Sequence, residues 1–319
     1  MNLSYNNVNV YKFISYFFLR DVNVYNVFRQ KLFWQLEVPY QNAPSLNQQK
    51  TVNDQKKMEI GCCGLTDSYE IVAEMGYDYI ELSARQIMLL SDKAFDDFRL
   101  LYENTALPCR GFNDFCNADL PLVGPDRDAE KINAYCADVV RRGSVLGIRS
   151  IGIGAPFARI LPDGYPKETA DREMMDFLTT LNRHAKPAGI MILLEAVHQG
   201  LCNYLCYTKE AFDIVQRFQD ENVRMVLDYY HAAVMKEDMH DFSYVMPYVK
   251  HLHYSSDLEG HARGYVRECD VEELFSYLKE AAENGYAGGI SVEAAQDKNL
   301  LIKDGKSCES YMRRAVERI

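Results

Sequence analysis

An α/β fold closed into a (β/α)8 barrel is what this sequence predicts, on three observations. From Met58 onward, short apolar segments alternate with longer amphipathic ones, the pattern of βα units around a parallel sheet. Eight such units fill about 260 residues, the usual extent of a barrel of this kind. No G-x-G-x-x-G follows any apolar segment, and Gly152-x-Gly154 lacks the third glycine, which disfavours the runner-up, a doubly wound open sheet.

The strands are expected at 59–63, 78–82, 108–113, 149–154, 190–195, 223–228, 249–254 and 289–293. Helical spacing is clearest over Asp126–Leu146, where Ile132, Tyr135, Cys136, Val139 and Val140 recur on one face. Further helices are expected over Lys167–Ala188, Thr208–Gln219, Val271–Asn284 and Lys306–Ile319. Thr208 and Asp270 stand where helix starts want a capping side chain, and Gly76, Gly147, Gly189 and Gly285 stand near helix ends.

Residues 1–57 are unlike the remainder. They contain neither Gly nor His, hold the only tryptophan (Trp34), and carry +4 (seven Lys/Arg, three Asp/Glu), leaving −15 for the rest. We expect two parts, an atypical N-terminal extension over 1–57 and a catalytic barrel over 58–319. The extension reads as poorly ordered or spurious, with translation starting at Met58, rather than as an accessory arm. Its apolar stretch Phe13–Leu19 is followed by Arg20 and Asp21 with no small-residue cleavage site, so no signal peptide is expected.

The net charge of −11 argues against nucleic acid, whose phosphates need a basic surface. No apolar run approaches the roughly 20 residues of a spanning helix, so no membrane is expected. The nine cysteines form no C-x-x-C pair and several sit in apolar patterns, which points to reduced thiols in a cytoplasmic protein.

Four polar residues carry the functional signal. Glu195, Asp228, His253 and Glu293 close the apolar runs GIMILLE, NVRMVLD, YVKHLH and GGISVE. Barrels of this class place their sites at the C-terminal strand ends, so strands five to eight would deliver these side chains to one point. Three carboxylates and an imidazole suit one divalent cation, Mn²⁺, Mg²⁺, Co²⁺ or Zn²⁺. No organic cofactor is expected.

Several pieces then resemble one family. Leu194-Glu195-Ala196-Val197, Asp228-Tyr229-Tyr230-His231, His251-Leu252-His253 and Ile290-Ser291-Val292-Glu293 resemble the xylose-isomerase-like TIM-barrel sugar phosphate isomerases and epimerases, including the ketose 3-epimerases. Gly111-Phe112-Asn113 and Leu161–Pro166 fit as well. The resemblance implies that Glu195, Asp228, His253 and Glu293 bind the cation and that Glu195 and Glu293 double as acid and base. The proton alpha to a metal-polarised carbonyl would be removed by one glutamate, through an enediolate, and returned by the other. The substrate implied is a small sugar or sugar phosphate, and a homo-oligomer is compatible with it.

Around this centre, His231 is expected to contact a substrate oxygen, as the family's Asp-x-x-His would. Where relatives read Glu-x-x-Asn and then a second glutamate, this chain has His198 and Leu201, with Asn203 retained. His198 is therefore either a substrate contact or a loop residue. Arg263 comes later after His253 than the family's arginine and is expected on a substrate oxygen. Glu81, ending strand two, is expected at the same mouth, as a hydroxyl contact or in a supporting ion pair. His251 is expected to point outward, toward the helices, and Arg159 has no assignment beyond its place after strand four.

Three other functions compete. A phosphodiester endonuclease would want histidines on early strands, yet all seven lie at or after position 184. A lyase dehydrating an inosose-type ketone needs the same cation and the same proton abstraction. A non-catalytic sugar-binding protein would bury three carboxylates without compensation, which is costly.

Overall fold

Residues 57–319, Met239 excepted, are described by the computed structural model. The expected extension, 1–57, thus lies outside the described residues apart from Lys57. The eight expected strands form: β1 Ile60–Gly64, β2 Tyr79–Ser83, β3 Cys109–Asn113, β4 Ser150–Ile153, β5 Met191–Glu195, β6 Val223–Asp228, β7 Val249–Tyr254 and, last in the chain, β10 Ile290–Val292. Each pairs in parallel with its neighbours, and β10 joins β1 through Ile60 opposite Ile290, so the sheet closes into a barrel. Two short strands outside the barrel, β8 Ser256–Leu258 and β9 Ala262–Gly264, form a separate antiparallel hairpin after β7, turned at Gly260 with φ +71°.

Helices cover the barrel: α1 Tyr69–Ala73, α2 Ala84–Leu89, α3 Asp92–Glu103, α4 Ala129–Leu146, α5 Lys167–Ala185, α6 Thr208–Phe218, α7 Tyr229–Val234, α8 Val271–Glu283 and α9 Lys298–Val316. In α4 the expected stripe faces the barrel, with Ile132, Cys136, Val139 and Val140 buried. The Asp128 side chain accepts from Glu130 N and Lys131 N at its start, and Gly147 ends it at φ +72°.

Three helix starts differ from expectation. α9 begins eight residues earlier than Lys306, because Asp297 caps Asn299 N and Leu300 N. At α8, Asp270 occupies the cap position without capping; its carboxylate instead accepts from Arg267 N and Ser256 Oγ, tying the hairpin to the helix. Thr208 likewise gives its hydroxyl to Glu237.

The interior of the barrel is polar at mid-height. Ile60, Ile80, Leu82, Ile192 and Ile290 are fully buried in the surrounding core, but Glu81 at the centre accepts from His251 Nε2 at 2.6 Å and from Ser291 Oγ. His251 therefore points inward, not toward the helices. Positions two apart on a strand share a face, so His251 lies on the same side as His253, with ring centroids 5.0 Å apart.

Candidate active site at the C-terminal barrel mouth

Four adjacent strands deliver the expected quartet. Glu195 and Asp228 are the last residues of β5 and β6, His253 is the penultimate residue of β7, and Glu293 directly follows β10. Register holds them level: Asp228 pairs with His253, and His253 with Ser291. One ligand atom from each of Glu195, Asp228, His253 and Glu293 lies within 4.8 Å of all the others. His253 Nδ1 sits 3.1 Å from both Glu195 Oε1 and Glu293 Oε2. Gly154, following β4, makes room for this group, since a Cβ there would stand 2.6 Å from Glu195 Oε2.

Arg263 completes the cluster. The hairpin returns the chain so that β9 carries its guanidinium over the Tyr230 ring, 4.6 Å from the centroid. Nη2 pairs with Asp228 Oδ2 and lies 2.9 Å from Glu293 Oε2, and Nε donates to Ser255 Oγ. Sequence distance from His253 thus misrepresents spatial distance. Nη1 lies 3.2 Å from His231 Nε2; an arginine only donates, so this nitrogen accepts and the ring proton sits on Nδ1, which has no partner among the described residues.

The charges are unevenly distributed. Burial raises the Glu195 carboxyl and, with the nearby Glu293 charge, brings it to about 7 despite the His253 hydrogen bond. Burial acts the same way on Asp228 and Glu293, but Arg263 and His253 outweigh it and hold both carboxyls below their ordinary values. Burial lowers His231 to about 3, the Arg263 charge contributing and Asp228 opposing. The two glutamates are therefore pushed apart, the usual mark of an acid and base pair.

The other expected residues divide. His231, Arg263, Glu195 and Glu293 line a cavity of about 280 Å³ at the mouth, large enough for a small sugar. Glu81 is not at this mouth. It is buried beneath the quartet, where His251 and Ser291 occupy it and His253 Nε2 stands 3.4 Å away, so the supporting ion pair is the role its surroundings fit. His198 is not on the cavity wall either; its Nδ1 accepts from Gly200 N, and its ring packs 5.2 Å from that of His231. Asn203 clamps the loop after β4 through both its amide groups to the Leu161 backbone.

Two residues escaped assignment by sequence. Asn113, the last residue of β3, donates to Glu293 Oε1 at 3.3 Å, and its strand-end position was the available signal. Arg159 is wholly buried and donates through Nη2 to the Glu195 carbonyl at 3.0 Å.

Comparison with known proteins places the chain. Residues 69–313 match the profile described as "Xylose isomerase-like TIM barrel". The chain belongs to this family. Among curated proteins, an inosose isomerase of Halalkalibacterium halodurans is 22% identical over 244 residues, covering 72% of this chain and 82% of the relative. A D-psicose 3-epimerase of Ruminiclostridium cellulolyticum is 24% identical over 233 residues, 70% of this chain and 76% of the relative. These xylose isomerase-like relatives are enzymes. The same barrel recurs in the crystal structure of IOLI protein with a binding zinc atom, at a TM-score of 0.64 and 20% identity, covering 82% of this chain and 99% of that one. It recurs also in D-psicose 3-epimerase with D-tagatose from Clostridium cellulolyticum H10, at 0.64 and 18%, covering 81% and 99%. Among the described residues no helix is long and apolar enough to cross a membrane.

Proposed function

We propose that this protein is a divalent-metal-dependent isomerase or epimerase acting on a sugar or sugar phosphate with a ketone group, an open-chain ketose or a cyclic inosose. The observation that carries it is the convergence of Glu195, Asp228, His253 and Glu293 from four adjacent strands, with ligand atoms within 4.8 Å of one another. Family membership supports the reading, as do relatives named for an inosose and for D-psicose.

The residues fit a cation. Glu293 Oε2 is buried without a hydrogen bond among the described residues, although Arg263 stands beside it, and three carboxylates with one imidazole suit hard and borderline ions such as Mn²⁺ and Zn²⁺. Glu195, Asp228, His253 and Glu293 would hold it, and the bound ion would polarise the substrate carbonyl.

The chain's own groups then move the proton. Glu293, held ionised by Arg263, is the base that takes a proton from the carbon alpha to the carbonyl. Glu195, whose carboxyl has the higher affinity for a proton, delivers one to the other face of that carbon or to its neighbour. Asn113 steers Glu293 through Oε1, and Arg159 fixes the Glu195 backbone. His231 and Arg263 present donors to substrate oxygens from the cavity wall. All nine cysteines are free thiols and eight are buried, which supports a cytoplasmic setting.

The test is proton exchange. Protein loaded with Mn²⁺ or Zn²⁺ and incubated in D₂O with ketohexoses, their phosphates and inososes should place deuterium alpha to the carbonyl of one of them. Glu293→Gln should lower that rate about 10²- to 10⁴-fold. Exchange with no substrate, or an unaffected Glu293→Gln, would sink the proposal, and loss of water from the substrate would identify a lyase instead.

A further inference from the structure

Arg159 poses an electrostatic problem that the sugar chemistry leaves unanswered. Its side chain is 0% exposed and permanently charged, yet among the described residues Nε and Nη1 have no hydrogen-bond partner. Among the described residues no carboxylate forms an ion pair with it. A buried cation without a counter-charge is strongly unfavourable, so the groups around it that can ionise become important.

Those groups include a pair of thiols. Cys202 and Cys206 lie in the loop between β5 and α6, with their sulfurs 3.9 Å apart and both residues buried. They are not equivalent. Cys202 lies near enough to the Arg159 guanidinium for its charge to act on the thiol, whereas Cys206 lies beside the Glu210 carboxylate, which accepts from its backbone N at 2.8 Å. The cation therefore favours a thiolate at Cys202 and the anion disfavours one at Cys206.

We propose that Cys202 and Cys206 are a redox-active dithiol, the Cys202 thiolate serving as counter-charge to Arg159 and being converted by hydrogen peroxide into a disulfide with Cys206. The Cys206 hydrogen bond and the Arg159 charge agree with this, bringing the Cys202 thiol down to about 6 against the effect of burial, while its partner and burial push Cys206 well up. Reactive thiols are those held as thiolates beside a cation.

The chemistry balances in two steps. The Cys202 thiolate attacks one peroxide oxygen, forming an S–O bond as the O–O bond breaks; the departing hydroxide takes a proton from solvent and leaves as water. The Cys206 sulfur then attacks the sulfenic sulfur, forming the S–S bond as S–O breaks, and the hydroxide lost takes the Cys206 proton to become a second water. Sulfur is oxidised and peroxide reduced. With Cys202 only 5% and Cys206 only 3% exposed, a small neutral oxidant fits this place and bulky glutathione disulfide does not.

The change would be felt at the candidate active site. A disulfide is neutral, so oxidation strips Arg159 of its counter-charge while that residue holds the Glu195 carbonyl. The loop itself is tied to the strand end where Val197 N donates to Leu205 O at 3.2 Å.

The experiment is peptide mass spectrometry on the full chain. Reduced protein is treated with a few equivalents of hydrogen peroxide, quenched with catalase, denatured in N-ethylmaleimide and digested. The expected product is a peptide with Cys202 and Cys206 linked, the link absent when glutathione disulfide replaces peroxide and lost on adding dithiothreitol. In Cys206→Ser, dimedone should label Cys202; Arg159→Met should slow that labelling about tenfold or more. Should Cys202 and Cys206 both be recovered alkylated when the exposed Cys269 has already been oxidised, the proposal is overturned, and this measurement needs no variant to fold. Mn²⁺ affinity should fall in the disulfide form and return on reduction; an affinity that does not change would overturn the link to Glu195.

Discussion

A Cβ on Gly154 would stand 2.6 Å from Oε2 of Glu195, so the end of β4 determines where the carboxylate at the end of β5 can rest. The first prediction follows from that contact. Gly154→Ala should displace Glu195 and weaken Mn²⁺ binding by about 10- to 100-fold, the range for residues that support metal ligands. Overpacking alone should cost about 1–3 kcal/mol of stability. Isothermal titration beside thermal denaturation separates the two effects; a variant with parental Mn²⁺ affinity would show that Glu195 is not held this way.

Arg263 acts as an internal counter-charge for Asp228 and Glu293. Arg263→Ala should destabilise the cation-free protein by about 3 kcal/mol, as breaking a buried ion pair does. Saturating Mn²⁺ should then raise the melting temperature more in the variant than in the parent, because the ion takes over neutralisation. An equal rise in both proteins would contradict this account of the cluster.

Chelation gives the third expectation. Protein dialysed against EDTA should lose alpha-proton exchange and recover it on adding Mn²⁺ or Zn²⁺. At about 100 times its dissociation constant, the ion should add about 2.7 kcal/mol to stability. Persistent exchange in ion-free protein would argue for chemistry without the quartet's cation.

The fourth concerns acid. Burial raises the Asp270 carboxyl, but the Arg267 and Ser256 hydrogen bonds outweigh it, so its folded value lies below its unfolded one. The stabilisation is thus complete above the unfolded value, near pH 4, and disappears as pH falls through the folded one. Asp270→Asn should be less stable than the parent at neutral pH, with the difference shrinking at acid pH in urea titrations. A constant difference would show that the charge is not what ties the hairpin to α8.

How much of this was legible in sequence depends on how local each cause is. The strands could be read because apolar runs ending in a ligand-type residue are a local pattern, and Glu195, Asp228, His253 and Glu293 each carried that mark. Arg263 was harder to place because a hairpin of two three-residue strands folds it back over Tyr230, a non-local event. Glu81 was expected at the mouth because it ends an apolar run, but its height in the barrel depends on packing with His251 and Ser291 from strands far along the chain. The direction of His251 was accessible from strand periodicity alone. Arg159 offered nothing locally, its importance arising only from what surrounds it in three dimensions.

The polar layer of Glu81, His251 and Ser291 has a consequence for water. A cavity of about 190 Å³, lined in part by Arg149, Lys250, Glu81 and His251, opens at the opposite, N-terminal end of the barrel, so wet space approaches the centre from both sides. Between the two spaces stand this polar layer and, above it, His253, which reaches Glu81 on one side and Glu195 and Glu293 on the other. Trimming that layer would open a drain beneath His253, giving bulk water a rear route to the place where a reacting carbon must be kept dry. In this scaffold the seal around the chemistry depends as much on the floor as on any lid.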